Sequence, residues 1–407
     1  MDHLATSEER RQRWHATHIE PKSVWFDGTY NHEEDRTFIH WIELEREGAH
    51  TRLNSLLDRQ GYVVIQNILT EKECQWAERL AWDWIEDASR VEQALQEGVD
   101  VLETQPPVQR YRPETHTSPY FPKSLEGGIM PFYGAGHSTF AWRIRSHKLV
   151  RKVFEVLYGT DDLMSSMDGI VAWPRHYQGD RGWFHVDQNP RTKPQRASIQ
   201  GFVNVLSEPT IFPMGNVLVK GSHRLFPEHY TVENHECSEF YRDRLDELGG
   251  EDWLEIDPND TILLQPEKVI SIELECGDML LWDSRVVHCS HPPPPGYEAF
   301  HFQEPTRHLF RLAALVTMMP SDQVPPEVVQ ERLLASRQLR TLTHWVNKAA
   351  PLGEEDTENA RLEARRVELM LRTDRRSGIP ILRDFDHLGR YEQELVVGKQ
   401  GPLTAEW

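Results

Sequence analysis

Asp278-Met279-Leu280-Leu281-Trp282-Asp283-Ser284-Arg285-Val286-Val287-His288-Cys289-Ser290 reads as a strand, a turn and a second strand. Cys276-Gly277 is the turn signal that opens it. Side chains alternate across an extended chain, so Val286, His288 and Ser290 share one face. A histidine at the end of such a strand belongs at the mouth of a β-barrel or jelly roll. The same pattern extends outward over about 163 to 320, with strands expected at 169–173, 198–206, 216–219, 269–274, 278–282, 286–288 and 311–318. Glu208-Pro209 and Lys220-Gly221-Ser222 punctuate them. Many short strands with such breaks argue for a jelly roll or barrel.

Helices flank this β region. Leu53, Leu56 and Leu57 have helical spacing, Gly61 ends that helix, and Tyr62-Val63-Val64-Ile65 is a buried strand. Thr70 and Glu73 form a capping box, opening a helix expected to run to about 87. Residues 104–140 are rich in Pro, Gly and Tyr and read as a pocket-lining loop. A helix follows near 146–158, with Gly159 as its C-terminal cap. Helices are expected again at 328–341 and 358–371, and an irregular tail after them. The organisation expected is an N-terminal arm (1–50), one β domain with helical support (51–320), and a helical extension (321–407) serving as a lid or a homodimer contact.

The chain has 407 residues and a net charge of −20, which disfavours nucleic acid and anionic membrane as partners. None of the four cysteines forms a C-x-x-C pair, so free thiols in a reducing compartment are expected. No apolar run reaches membrane-spanning length. Met1-Asp2-His3 and the charged run after it do not read as a signal peptide. The expectation is a cytoplasmic enzyme.

His185-Val186-Asp187 follows Trp183-Phe184. In extended backbone residues i and i+2 point the same way, so both polar side chains can reach one cation. H-x-[DE] is weak alone: His18-Ile19-Glu20 and His32-Glu33-Glu34 also fit, but in the charged N-terminal arm without a strand. With His288, the set becomes two histidines and one carboxylate on β-structure. That is a facial triad for non-haem Fe(II), which leaves other positions open for a cosubstrate and O₂.

Arg311 opens the apolar run Arg311-Leu312-Ala313-Ala314-Leu315-Val316 and must be paired or solvated. Its planar fork suits the far carboxylate of a dicarboxylate such as 2-oxoglutarate, with Ser290 adding a hydroxyl. Arg307 is the rival anchor. On 199–206, Gln200, Phe202 and Asn204 share one face, and the two amides are candidates for the cosubstrate's other carboxylate.

At these residues the chain resembles the phytanoyl-CoA dioxygenase-like family of Fe(II)/2-oxoglutarate oxygenases. The matching pieces are Trp183-Phe184-His185-Val186-Asp187-Gln188, 199–204, Gly215-Asn216-Val217-Leu218-Val219-Lys220-Gly221-Ser222-His223, 277–282, His288-Cys289-Ser290, and Arg311 before a strand ending in Pro320. Gly61-Tyr62-Val63-Val64 also looks like the family's opening, so the similarity covers roughly 50–320. It implies a fold that is mainly β with flanking helices (α+β): a double-stranded β-helix (jelly-roll, cupin-like) core. It implies iron on His185, Asp187 and His288, and 2-oxoglutarate on Arg311 and Ser290. His223 matches a structural turn. The segment 289–310, with Pro292 to Pro295, is longer than the family spacing and suggests a lid. In related halogenases a small residue replaces the carboxylate. Asp187 therefore implies hydroxylation, or desaturation or ring closure.

The substrate expected is an amino acid or a specialised metabolite, touched by Arg110, Arg112 and Tyr133 from the 104–140 loop and by a helix near Trp345. Nothing reads as a CoA-binding basic patch. Two other classes stay open: a non-oxygenase cupin metalloenzyme (isomerase or hydrolase) on the same three ligands, and a non-catalytic sensor.

Overall fold

In a computed structural model, residues 22–24, 37–174, 177–179, 182–207, 214–232, 236–293, 309–353, 356–373 and 380–401 are described. The fold is mixed α+β and is organised by two large sheets. The larger has seven strands, in the order Phe38–His40, Tyr62–Gln66, Met279–Asp283, Ile199–Asn204, Leu309–Leu315, Ile170–Pro174, Ile129–Met130. The smaller has six, in the order Lys22–Val24, Val269–Ile272, Gly215–Val219, His288–His291, His185–Val186, Leu254–Glu255. From Ile170 to Leu315 the chain passes repeatedly from one sheet to the other. Almost all pairings are antiparallel; Phe38–His40 on Tyr62–Gln66 and Lys22–Val24 on Val269–Ile272 are parallel.

Alternation sorts the side chains into three layers. Outward from the larger sheet, Val63, Val203, Leu281, Leu312 and Ala314 pack on the helices Ala49–Gln60, Glu71–Glu97, Thr139–Arg145 and Lys148–Tyr158. Outward from the smaller sheet, Val186, Val217, Val219, Val287 and Cys289 meet Tyr230, Tyr241 and Leu245. Between the sheets lie Val64, Phe202, Leu280, Trp282 and Ala313 against Leu218, Ile270 and Ile272. Tyr62-Val63-Val64-Ile65 is buried on both faces, which explains a strand with no polar alternation.

Three expectations needed correction. The helix from the Thr70 capping box does not stop near 87; it runs Glu71–Glu97 and ends where Gly98 adopts φ 70° and donates to the Ala94 carbonyl. Val91 and Ala94 extend its buried face beyond the acidic stretch around Asp87. The C-terminal tail is not irregular throughout: Arg390–Val397 is a helix burying Leu395, Val396 and Val397. The helix expected at 328–341 is Pro326–Arg337, so Trp345 lies in a non-helical stretch after it. Among the described residues no helix is long and apolar enough to cross a membrane.

Candidate metal centre

His185 and His288 sit opposite each other in the ladder joining neighbouring strands of the smaller sheet. Their ring centroids are 4.3 Å apart. Asp187 follows one residue after strand His185–Val186, and its backbone N–H donates to the Ser284 carbonyl. Gln188 pins that turn by accepting from Ser284 Oγ (2.7 Å) and from the Ala197 amide (3.1 Å). The three side chains offer ligand atoms that all lie within 4.8 Å of one another.

The histidine tautomers are set by the backbone. His185 Nδ1 lies 3.2 Å from the Trp183 carbonyl and His288 Nδ1 lies 2.9 Å from the Val286 carbonyl. A carbonyl only accepts, so each Nδ1 carries its proton and each Nε2 is turned toward the carboxylate. His185 Nε2 is 3.6 Å from Asp187 Oδ1, and His288 Nε2 is 3.2 Å from Oδ2. Burial, reinforced by His288, pushes the His185 pKa down to about 3, so its imidazole is neutral at pH 7. Burial alone would raise the Asp187 pKa, but the neighbouring His185 and His288 outweigh it and hold the carboxyl below the usual range. Neutral His185 therefore faces a carboxylate lone pair to lone pair. A cation between them resolves that arrangement, so the donor set fits a divalent metal with two nitrogen ligands and one oxygen ligand. Trp183 stacks on His185 (4.7 Å, 10° between planes) and its indole N–H donates to the Ser290 carbonyl (3.0 Å), tying the two strands together.

The triad opens into a cavity of about 570 Å³ between the sheets. Arg311 reaches it from the larger sheet, 1% exposed, with its guanidinium near the Trp173 and Phe202 rings (4.9 and 5.0 Å). Its Nη1 is 3.4 Å from Ser290 Oγ, so the structure brings together the two residues expected to anchor a dicarboxylate. Gln200 lines the same cavity, and its Nε2 is buried with no hydrogen-bond partner, as a group awaiting an acceptor would be.

Other expected residues lie elsewhere. Asn204 does not line the cavity; its amide donates to the carbonyls of Leu206, Leu274 and Glu275 and closes the turn before Gly277. Arg110 is bound to Asp83 and Glu86, Arg112 pairs with Glu114 on the surface, and Tyr133 is buried against Glu92. None of these three lines the cavity; from that loop only Leu125, Glu126 and Ile129 do. Trp345 does line it. His223 accepts a structural role, its Nε2 meeting the Asp58 carbonyl at 3.0 Å. Arg307 and most of 289–310 fall outside the described residues.

Sequence reasoning missed Asn216, which lines the cavity opposite Ser290 in the ladder and keeps a buried Oδ1 without a partner. Its signal was an amide on the otherwise apolar strand Gly215–Val219. It also missed Asp252, Trp253, His344 and Lys348, which carry no motif. Burial lowers the His344 pKa.

No family model matches the chain. It is 24% identical over 312 residues to Ava biosynthesis cluster protein O of Aspergillus versicolor, covering 73% of this chain and 88% of that protein. Among solved structures it is similar to the epimerase SnoN in complex with Fe3+, alpha-ketoglutarate and nogalamycin RO, at 16% identity and a TM-score of 0.38, covering 68% and 85% of the two chains. It is also similar to a putative oxidoreductase from Salmonella typhimurium LT2, at 12% identity and a TM-score of 0.49, covering 89% and 86%.

Proposed function

We propose that this protein is an Fe(II)- and 2-oxoglutarate-dependent oxygenase acting on an unactivated C–H bond of a small metabolite. The carrying observation is one cavity holding a His185/Asp187/His288 donor set on one sheet and a buried Arg311 on the other. The exchange of strands between the sheets supports the double-stranded β-helix reading of the core. The similarity to a protein named for a biosynthesis cluster supports a specialised metabolite as substrate.

His185, Asp187 and His288 would hold the iron. Arg311, with Ser290, would bind the far carboxylate of 2-oxoglutarate through paired N–H donors. Gln200 would donate from its unpartnered Nε2 to the cosubstrate oxygens nearer the metal. That cofactor set, with O₂, supplies the oxidant for hydroxylation, desaturation or ring closure, and 2-oxoglutarate leaves as succinate and CO₂. The chain's own contribution is position and dryness: Trp183 fixes the His185 ring, and the apolar sheet interior excludes water.

The test is anaerobic equilibrium dialysis of 2-oxoglutarate against Fe(II)-loaded protein. Arg311→Met should weaken retention on the order of 100-fold, since a buried carboxylate loses its partner. No retention by the wild type would overturn the proposal.

A further inference from the structure

Two lysines converge on one carboxylate beside the cavity. Lys193 Nζ and Lys348 Nζ each lie 2.5 Å from the same atom, Asp252 Oδ2. Asp252 is buried, and its Oδ1 accepts from the backbone of Asn189, on the turn that carries Asp187. One carboxylate balances one ammonium, so this cluster has a positive charge in excess. The two ammoniums also repel: burial, and then Lys348, work to lower the Lys193 pKa. Lys348 is the more exposed of the pair, at 35% against 22%, and it lines the cavity. Glu251, the neighbouring carboxylate on this side, also lines the cavity, at its solvent-exposed edge.

The surrounding wall is built for a ligand. Lys193 sits over the Trp345 ring at 3.8 Å, which fixes that indole with its Nε1 buried and without a hydrogen-bond partner. Thr343 Oγ1, two residues earlier, is also buried without one. Buried Arg332 donates to the Val346 carbonyl and to those of Ser165 and Val396, so this stretch is held to the body of the protein. The apolar wall is supplied by Leu125, Ile129, Trp253, Leu315 and Leu352, while the carboxylates Glu126 and Asp168 line other parts of the same chamber.

We infer that Lys348, backed by Lys193 and Asp252, is a subsite for the anionic oxygen head of an otherwise apolar substrate, a carboxylate or an acidic enol. Asp252 keeps Lys193 when Lys348 turns to the ligand, so no charge is stranded. The Trp345 N–H and Thr343 hydroxyl are the neutral donors beside it. This inference rests on reading the cavity as the substrate chamber of the proposed oxygenase.

The probes are 8-anilino-1-naphthalenesulfonate and N-phenyl-1-naphthylamine, one apolar skeleton with and without an anion. Dye fluorescence is titrated on the full chain with Zn(II) and 2-oxoglutarate present. The wild type should bind the anionic dye roughly tenfold more tightly than the neutral one. Lys348→Met should remove that preference and leave the neutral dye unchanged, Lys348→Arg should retain it, and Lys72→Met, on an exposed helix face, should do nothing. Equal binding of the two dyes by the wild type, or a preference surviving Lys348→Met, overturns the inference. His185→Ala should keep the dye preference, so failure of the metal reading and failure of this one are separable.

Discussion

At the residue scale, the arrangement of Asp187 is the one that demands an explanation. A carboxylate and the bare nitrogen of a neutral imidazole face each other at 3.6 Å, each hydrogen bond that might turn the ring away being used by a backbone carbonyl. Asp187→Asn keeps the shape and removes the charge. Co(II) affinity by calorimetry should fall by about 3 kcal/mol, on the order of 100-fold; unchanged affinity would mean that the triad does not bind metal. Ser290→Ala removes only a 3.4 Å contact to Arg311. It should weaken 2-oxoglutarate by about 1 kcal/mol, read by the same dialysis, and a loss equal to that of Arg311→Met would show that Ser290 does something more. His185 and Asp187 were legible from their i, i+2 spacing, His288 and Ser290 from their shared strand face, and Arg311 and Gln200 because each breaks an apolar strand with a polar residue. Lys348 and Asp252 were not, because their meaning comes from a contact between distant segments that have no periodicity.

At the element scale, the strand Ile199–Asn204 lies between Met279–Asp283 and Leu309–Leu315 and brings Gln200 to the cavity. Gly201 permits the close approach: an added Cβ would lie 2.7 Å from the Leu280 carbonyl oxygen and 2.7 Å from the Leu281 side chain. Gly201→Ala should cost about 1–3 kcal/mol in urea denaturation. Gly250→Ala, where a Cβ would meet nothing, should stay within about 0.5 kcal/mol. Equal midpoints for the two variants would contradict this packing. The strands were readable from alternation and turn residues, whereas helix ends were harder. The helix Glu71–Glu97 continues through an acidic stretch because its buried face persists, and the helix Arg390–Val397 is short and polar enough to pass for a loop until tertiary packing decides it.

At the scale of the whole molecule, buried ionisable groups tie stability to pH. His137 is fully buried, and burial pushes its pKa down to about 3. Between that value and the unfolded value near 6.5 the unfolded chain binds more protons, so stability falls as the pH drops through this window. The loss between pH 7 and pH 5 should be about 2 kcal/mol from this group. Asp278 works the other way, since burial raises its pKa to about 6 and its carboxyl takes up a proton more readily in the folded state. A comparison of wild type with His137→Gln in urea at both pH values isolates the histidine; an identical acid dependence would contradict the assignment. The measurement that bears most directly on function is anaerobic titration of the metal-free protein with Fe(II) and 2-oxoglutarate, following the weak visible metal-to-ligand charge-transfer absorption. A band that requires both additions and is absent in His185→Ala is the result predicted; no band in wild-type protein that has bound the metal would contradict the 2-oxoglutarate reading and leave a metalloenzyme of another kind.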